Sequence, residues 1–395
     1  MSVSIDVLMP LPLNGEGVGY TCSSLVEGMA DPGIHIAVVT SRSRLALSSA
    51  EVVQVLPIWA RHLPYRWVKS RANERLESVF LARAMHSPAQ GRAAYLWTGA
   101  SAGAIAALRQ RGVTVFREQF NCHTGTAKAI LDDAYRRLGV EPAHTISERM
   151  IDDERRVLDA TDYVFCPGPK VTESLLENGV DPAKLLTTSY GWEPARFAAS
   201  HRALEPSDGL TFLFVGTICV RKGAHLLLDY WARSGVKGRL VLAGAMEPTI
   251  KERCADLLSR DDVVVRDYSR DVGALYRSAD VFVFPSLEEA GPQVTYEACG
   301  CALPVITTPM GAGRIVRHDV EGQVIDPYDA HGWIATLRHV AEDRELRQRM
   351  SRAACERAQS FTWPLVAERR RRQFENILAG ERHSPALETA EGVSL

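Results

Sequence analysis

Nothing in this sequence is long and apolar enough to span a bilayer. No run of about 18 apolar residues occurs, so a transmembrane helix is not expected. Neither sign of charge dominates: 46 lysines and arginines stand against 48 aspartates and glutamates, for a formal net charge of −2. That balance excludes a protein that holds nucleic acid through its overall field. An anionic ligand would therefore need a local basic site. The eight cysteines lack C-x-x-C pairs and histidine spacing. Cys299 and Cys301 lie too close together for a structural zinc site, and reduced thiols in a cytoplasmic protein are the reading. There is no D-x-D pair and no low-complexity block. The opening apolar run, Val3 to Leu8, carries Asp6 and lacks a basic leader, so it reads as a strand and not as a signal peptide.

What is present is an α/β pattern. The 395 residues exceed what one core usually serves, so two domains are expected. In the second half, 212–215, 240–243, 263–265, 281–284 and 305–306 read as buried parallel strands, which need not alternate with polar residues. Helices are predicted near 223–234, 248–259, 271–278 and 292–301, which makes a βαβ series and a doubly wound sheet. The first half repeats the theme, with strands at 3–8, 36–39, 94–97, 113–116 and 163–165. Its helices fall near 18–30, 101–111 and 146–158. The stretch 198–209 lacks apolar periodicity and reads as a linker. A last helix is predicted over 364–379.

The segment from Ser286 to Thr307 carries the strongest chemical signal. It follows a predicted strand and runs Ser-Leu-Glu-Glu289-Ala-Gly291-Pro292-Gln293-Val294-Thr-Tyr-Glu297. Gly291 and Pro292 read as helix cap and first helical residue, where proline's missing N–H is harmless. The amides of Gln293 and Val294 then point out of the helix start and, with its dipole, form an anion site. A carboxylate at Glu297 can accept two hydrogen bonds from a vicinal diol. Glu289 lies in the loop at the strand end, where ligands of α/β sheets bind.

Two glutamates with seven residues between them, followed by Leu303-Pro-Val-Ile306, resemble the donor signature of retaining family 4 glycosyltransferases with the GT-B fold. Phe214-Val-Gly216-Thr-Ile-Cys-Val-Arg221-Lys222-Gly223 resembles that family's diphosphate loop. Tyr276-Arg-Ser-Ala-Asp280-Val-Phe-Val-Phe-Pro-Ser286 resembles its next landmark, and Ser189-Tyr-Gly-Trp-Glu193 its turn between domains.

The resemblance implies two Rossmann-like domains facing each other across a cleft: residues 1–200 for the acceptor and 201–362 for the donor. It also implies a helix over 363–380 that crosses back to the first domain, and a flexible tail over 381–395. Glu297 would take the ribose hydroxyls, Glu289 the transferred sugar, and Arg221 and Lys222 the diphosphate. Two cations beside a helix start stabilise the charge of a departing diphosphate, so no metal and no cofactor are implied. The donor would be a nucleoside diphosphate sugar carrying UDP or GDP. The acceptor would be a glycan, a lipid-linked sugar or a small molecule, in polysaccharide or glycoconjugate synthesis. Many relatives have arginine where Thr217 stands, which shifts load to Arg221.

The loop Gly15-Glu-Gly17-Val-Gly19 follows the first strand and resembles a Gly-Gly-x-Gly loop of the family, with Glu16 in place of one glycine. On that basis Gly17 is taken as substrate-binding. His123, just after a predicted strand, matches a histidine that lines the sugar site in relatives. A packed or surface histidine is its other reading.

The aromatic, basic stretch Trp59–Arg71 has two readings. One is peripheral contact with the inner membrane face. The other, favoured because Pro57 and Pro64 break a long amphipathic helix, is an acceptor-side loop and helix packed on the core. The run Arg369–Arg372 reads as the solvated face of the last helix, with Phe374, Ile377 and Leu378 inward.

A sugar-nucleotide epimerase of the same fold and a non-catalytic binding subunit remain alternatives, although four intact donor-site residues argue against the second. A nicotinamide dehydrogenase would need G-x-G-x-x-G with an acidic strand end about 20 residues later, which the chain lacks.

Overall fold

The computed structural model describes residues 3–86, 91–198, 201–269 and 271–381. The expected tail falls outside these residues from 382 on, as do 199 and 200 of the expected linker. Two wholly parallel sheets order the chain. The first contains β1 (Val3–Met9), β2 (Ile34–Thr40), β3 (Glu51–Gln54), β4 (Arg92–Leu96), β5 (Thr114–Glu118), β6 (Tyr163–Cys166) and β7 (Leu185–Thr187), in the order β3-β2-β1-β4-β5-β6-β7. The second contains β8 (Leu210–Val215), β9 (Gly238–Ala243), β10 (Val263–Arg266), β11 (Val281–Phe284), β12 (Val305–Thr307) and β13 (Gly322–Val324), in the order β10-β9-β8-β11-β12-β13. Both sheets reverse direction beside their first strand, between β1 and β4 and between β8 and β11. This is the GT-B arrangement, two Rossmann-like α/β sheets in one chain.

The apolar runs became strands because helices cover both faces of each sheet. All four residues of β11 are buried, as are all five of β4. Three strands escaped the sequence reading, and each has a reason. β3 is a half-exposed edge strand with glutamate and glutamine at its ends, and β7 and β13 hold three residues each, also at edges. The helix predicted over 248–259 breaks at Cys254 into Pro248–Arg253 and Ala255–Leu258. Pro64 does not interrupt a helix, as the sequence reading supposed. It stands at the start of one, Tyr65–Met85, where its missing N–H is harmless. Val68, Ala72, Leu76, Phe80 and Ala84 form that helix's buried stripe.

The last helix, Trp363–Leu378, corrects the reading of the arginine run. Arg370 is fully buried, not solvated. Its guanidinium pairs with Glu118 at the end of β5, donates to the Tyr95 hydroxyl at 2.6 Å and the Thr188 hydroxyl at 2.8 Å, and lies 3.9 Å from the Phe165 ring centroid. Phe374, one turn on, packs 4.5 Å from Phe116 and 5.2 Å from Phe165, centroid to centroid. The last helix therefore lies on the first sheet, although the chain reaches it from the second. Two strands of chain cross between the lobes side by side. The Trp192 amide donates to Phe361 O at 3.0 Å, and the Trp363 amide returns to Trp192 O at 3.1 Å.

The lobes also meet directly beside Tyr190. Gly168 sits so close to the second lobe that a Cβ there would fall 2.2 Å from Ala290 O.

Arg370→Ala is expected to cost ~3–5 kcal/mol, because it strands Glu118 in a dry core. Arg370→Met with Glu118→Gln should recover much of that loss; urea unfolding of the three proteins measures it. Gly168→Ala is expected to leave the unfolding midpoint unchanged, since its backbone is extended, and to hold the lobes apart. Solution X-ray scattering should show a larger radius of gyration; an unchanged radius would refute the contact.

Candidate active site

The crevice outside the carboxyl ends of β8 and β11 is where a doubly wound sheet holds its ligand. The β8–helix loop runs from Gly216 to Gly223 and opens the helix Ala224–Ser234. A side chain at Gly216 would meet open space, so a ligand can approach the backbone there. Gly223 has φ +68°, and a Cβ on it would fall 2.0 Å from Pro285 O. Only glycine lets this loop press against the end of β11. The result is that Arg221 and Lys222 face the loop that carries the glutamates.

Four charges then share one small space. Arg221 Nη1 donates to Glu288 Oε2 at 3.0 Å and lies 4.0 Å from Glu289 Oε1. Lys222 Nζ contacts Glu289 Oε1, which also accepts from the Ser286 hydroxyl at 3.3 Å. The Phe284 ring floors the ammonium, 5.2 Å away at its centroid. Burial, and then the Arg221 charge, push the Lys222 ammonium down to about 7. Glu288 was not among the expected residues. It bridges the lobes, accepting the Cys122 amide at 3.1 Å through Oε1 while Oε2 holds Arg221. Its adjacency to Glu289 was the available cue, and the spacing to Glu297 drew attention to Glu289 alone.

The helix Gln293–Gly300 begins one residue later than expected. Pro292, extended at ψ 97°, is the cap, and Gln293 is the first helical residue. The change leaves the geometry of the first turn intact. The Gln293 and Val294 amides lie ahead of the Thr295 amide, which donates to Pro292 O at 2.9 Å. Gly291 packs on Tyr190, behind that start. Across the cleft the turn meets the helix Gly17–Gly28, where the Thr21 hydroxyl donates to Gln293 Oε1 at 3.4 Å. Gln293 Nε2 is buried with no partner among the described residues.

Glu297 lies one turn deeper and is buried. Its Oε2 and the Val294 carbonyl each accept from the Tyr276 hydroxyl at 3.2 Å. Burial raises its carboxyl to about 7, against the opposing pull of Arg196 and the Tyr276 hydrogen bond. Tyr276 and Arg196 were not anticipated as its neighbours, since nothing in local spacing links 196 to 297.

The first lobe supplies the facing wall. Gly17 starts its helix at the exposed rim and accepts from the Thr21 hydroxyl at 3.4 Å. Thr98, at the carboxyl end of β4, has φ +123°, a strained value for a β-branched residue. His123 caps the helix Thr124–Arg137. Its Nδ1 accepts the Gly125 amide at 3.1 Å, and its Nε2 lies 3.7 Å from Glu154 Oε2. The ring is 2% exposed, and burial lowers its basicity. The structure thus joins Arg221, Lys222 and Glu289 in one cluster, with Gln293, Val294 and Glu297 on the adjoining helix. It brings His123 to that cluster only through its neighbour Cys122, with both ring nitrogens engaged inside the first lobe.

Comparison with known proteins places both halves of the chain. A family model described as "Glycosyl transferase 4-like domain" matches residues 16–191, and one described as "Glycosyl transferases group 1" matches residues 197–357. A D-inositol 3-phosphate glycosyltransferase from Thermobispora bispora is 27% identical over 389 residues, covering 89% of this chain and 88% of its own. Among solved structures, sucrose-phosphate synthase from Thermosynechococcus elongatus superposes with a TM-score of 0.70 at 19% identity, over 96% of this chain and 100% of that one. HepE from Anabaena, in complex with UDP and glucose, gives a TM-score of 0.65 at 14% identity, over 96% and 100%.

Proposed function

The chain belongs to the group 1, family 4-type glycosyltransferases, and from that premise we propose that it moves a sugar from a nucleoside diphosphate sugar to an acceptor hydroxyl with retention at the anomeric carbon. One observation carries the reading. Arg221 and Lys222 pair with Glu288 and Glu289 in the loop that leads from β11 into the 293–300 helix, at the carboxyl ends of β8 and β11.

UDP and GDP are the favoured nucleotides; the solved HepE complex with UDP and glucose supports the first. The diphosphate takes Arg221, Lys222 and the Gln293 and Val294 amides, and the ribose diol takes Glu297. As the bond from the anomeric carbon to the phosphate oxygen breaks, the acceptor oxygen bonds to that carbon on the same face. The acceptor's proton passes to the departing phosphate. The two cations and the helix start stabilise the growing charge, and no metal enters this scheme. Glu289, released from Lys222 by the diphosphate, is free to bind sugar hydroxyls, with His123 on the facing wall.

Residues 1–200 hold the acceptor, 201–362 the donor, and the helix over 363–380 returns to the first lobe. The relative named for D-inositol 3-phosphate supports a small-molecule acceptor, with glycan and lipid-linked acceptors as the other classes. Among the described residues no helix is long and apolar enough to cross a membrane, and peripheral membrane contact belongs to the lipid-linked case.

A screen of UDP and GDP sugars for nucleotide release, with and without polyol phosphate and glycan acceptors, tests the reading. Acceptor-dependent release is expected. Product formed without acceptor would instead indicate an epimerase, and absence of nucleotide binding would end the proposal. Lys222→Ala is expected to lower kcat by roughly 10²–10³-fold, the usual loss for a group that stabilises transition-state charge.

Nucleotide affinity should be bell-shaped in pH. Glu297 must be ionised to accept from the diol, so with its carboxyl at about 7 affinity rises as pH climbs toward 7. Lys222 must be protonated to hold the diphosphate, so with its ammonium lowered to about 7 affinity falls as pH climbs beyond 7. Calorimetric titration of UDP or GDP into wild type and Glu297→Gln checks this: the variant should bind more weakly and lose the acid limb alone.

A further inference from the structure

A second cavity, of about 590 Å³, opens at the opposite end of the second sheet. Its wall includes Leu210 at the start of β8, Asp280 just before β11 and Pro304 just before β12. The strands between it and the donor crevice are three to six residues long, roughly 10–20 Å. Its lining includes none of Arg221, Lys222, Glu289, Gln293, Val294 or Glu297, with Tyr276 standing between the two sites, and its volume is that of a small-molecule pocket.

Its chemistry is polarised. Arg277, Arg344 and Arg347 line it against a single carboxylate, Asp280. Asp280 is turned to the sheet, where Oδ2 accepts the Thr211 amide at 2.8 Å. Arg347 is anchored, with Nη1 donating to Val340 O at 2.7 Å and Ala341 O at 2.8 Å. The Arg277 and Arg344 side chains make no hydrogen bond or ion pair with any described residue. Trp192 and Phe197, from the crossover between the lobes, are buried in the lining beneath them. Guanidinium groups gathered at one cavity match an anion, and its volume leaves room for a small ring attached to that anion. A phosphate monoester fits this best, because a compact dianion can take bidentate bonds from more than one arginine.

We propose that this pocket binds a phosphate monoester carrying a small ring, such as a sugar phosphate, and reports its occupancy to the donor crevice. The route is short. Tyr276 lines the pocket, and its hydroxyl donates to Glu297 and to Val294 O. Trp192, also in the lining, is the residue whose backbone pairs the two crossover segments. A ligand that packs on both changes the setting of Glu297 and of the lobe crossing, and by linkage the nucleotide must alter the ligand's affinity by the same factor. Binding at the pocket stands apart from the donor reading; only its effect on the crevice rests on it.

Calorimetry on the full chain, in a buffer without phosphate, tests both parts with inorganic phosphate and glucose 6-phosphate as probes. Wild type is expected to bind glucose 6-phosphate more tightly than phosphate. Arg277→Ala with Arg344→Ala, both on exposed positions, should weaken it by about tenfold or more and leave UDP or GDP affinity without the probe unchanged. Equal binding by the double variant, loss of probe binding in Lys222→Ala instead, or no binding at millimolar probe would overturn the site. Tyr276→Phe should retain probe binding and lose the probe's effect on nucleotide affinity. A retained effect would overturn the route while leaving the pocket, and intact probe binding without any nucleotide binding would fault the donor reading alone.

Discussion

Two cations and two carboxylates, three of them buried or nearly so and Arg221 partly open to solvent, share one space beyond the carboxyl ends of β8 and β11, and the arrangement of the site follows from how they are paired. Without a ligand, Glu288 and Glu289 satisfy Arg221 and Lys222. An unpaired charge there would be costly, since removal from water weakens any ion that lacks a partner. On the proposed reading, a diphosphate that enters would exchange partners with the glutamates and could not simply add to the site. Glu289 would leave Lys222, and Glu288, which also holds the Cys122 amide of the first lobe, would change its grip across the cleft. Donor binding, sugar recognition and lobe contact would then be one electrostatic event.

The members of that cluster were legible in the sequence as a list of residues, but not as a set of pairings. Glu289 and Glu297 stood out because a proline-bearing helix start followed a buried strand, and Arg221 and Lys222 through the resemblance of the 214–223 segment to a diphosphate loop. Strands were visible for the same reason: parallel strands covered on both faces read as unbroken apolar runs. β3, β7 and β13 lacked that signal, being short and at edges. Glu288, Tyr276 and Arg196 acquire their roles only from contacts 21 to 166 residues away in sequence, and local spacing contains no trace of those. Arg370 is the plainest case. Its run of four arginines has the composition of a solvated face, and only the fold reveals that one of them points into the first lobe.

The contacts between the lobes fall into two kinds, and their distribution implies a motion. Near the crossover they are dry and interlocked: Arg370 with Glu118, Phe374 among Phe116, Phe165 and Tyr95, and Trp192 with Phe361. Separating these would expose aromatic surface and an unpaired buried charge. Elsewhere, beside the packing of Ala290 on the first lobe, they are single polar links, Thr21 to Gln293, Tyr135 to Glu247 and the buried Cys122 to Glu288. A polar link exchanged for water changes free energy by little, whereas the interlocked set resists rupture. The last helix is therefore expected to move as one body with the first lobe, and any opening to begin at the exchangeable links.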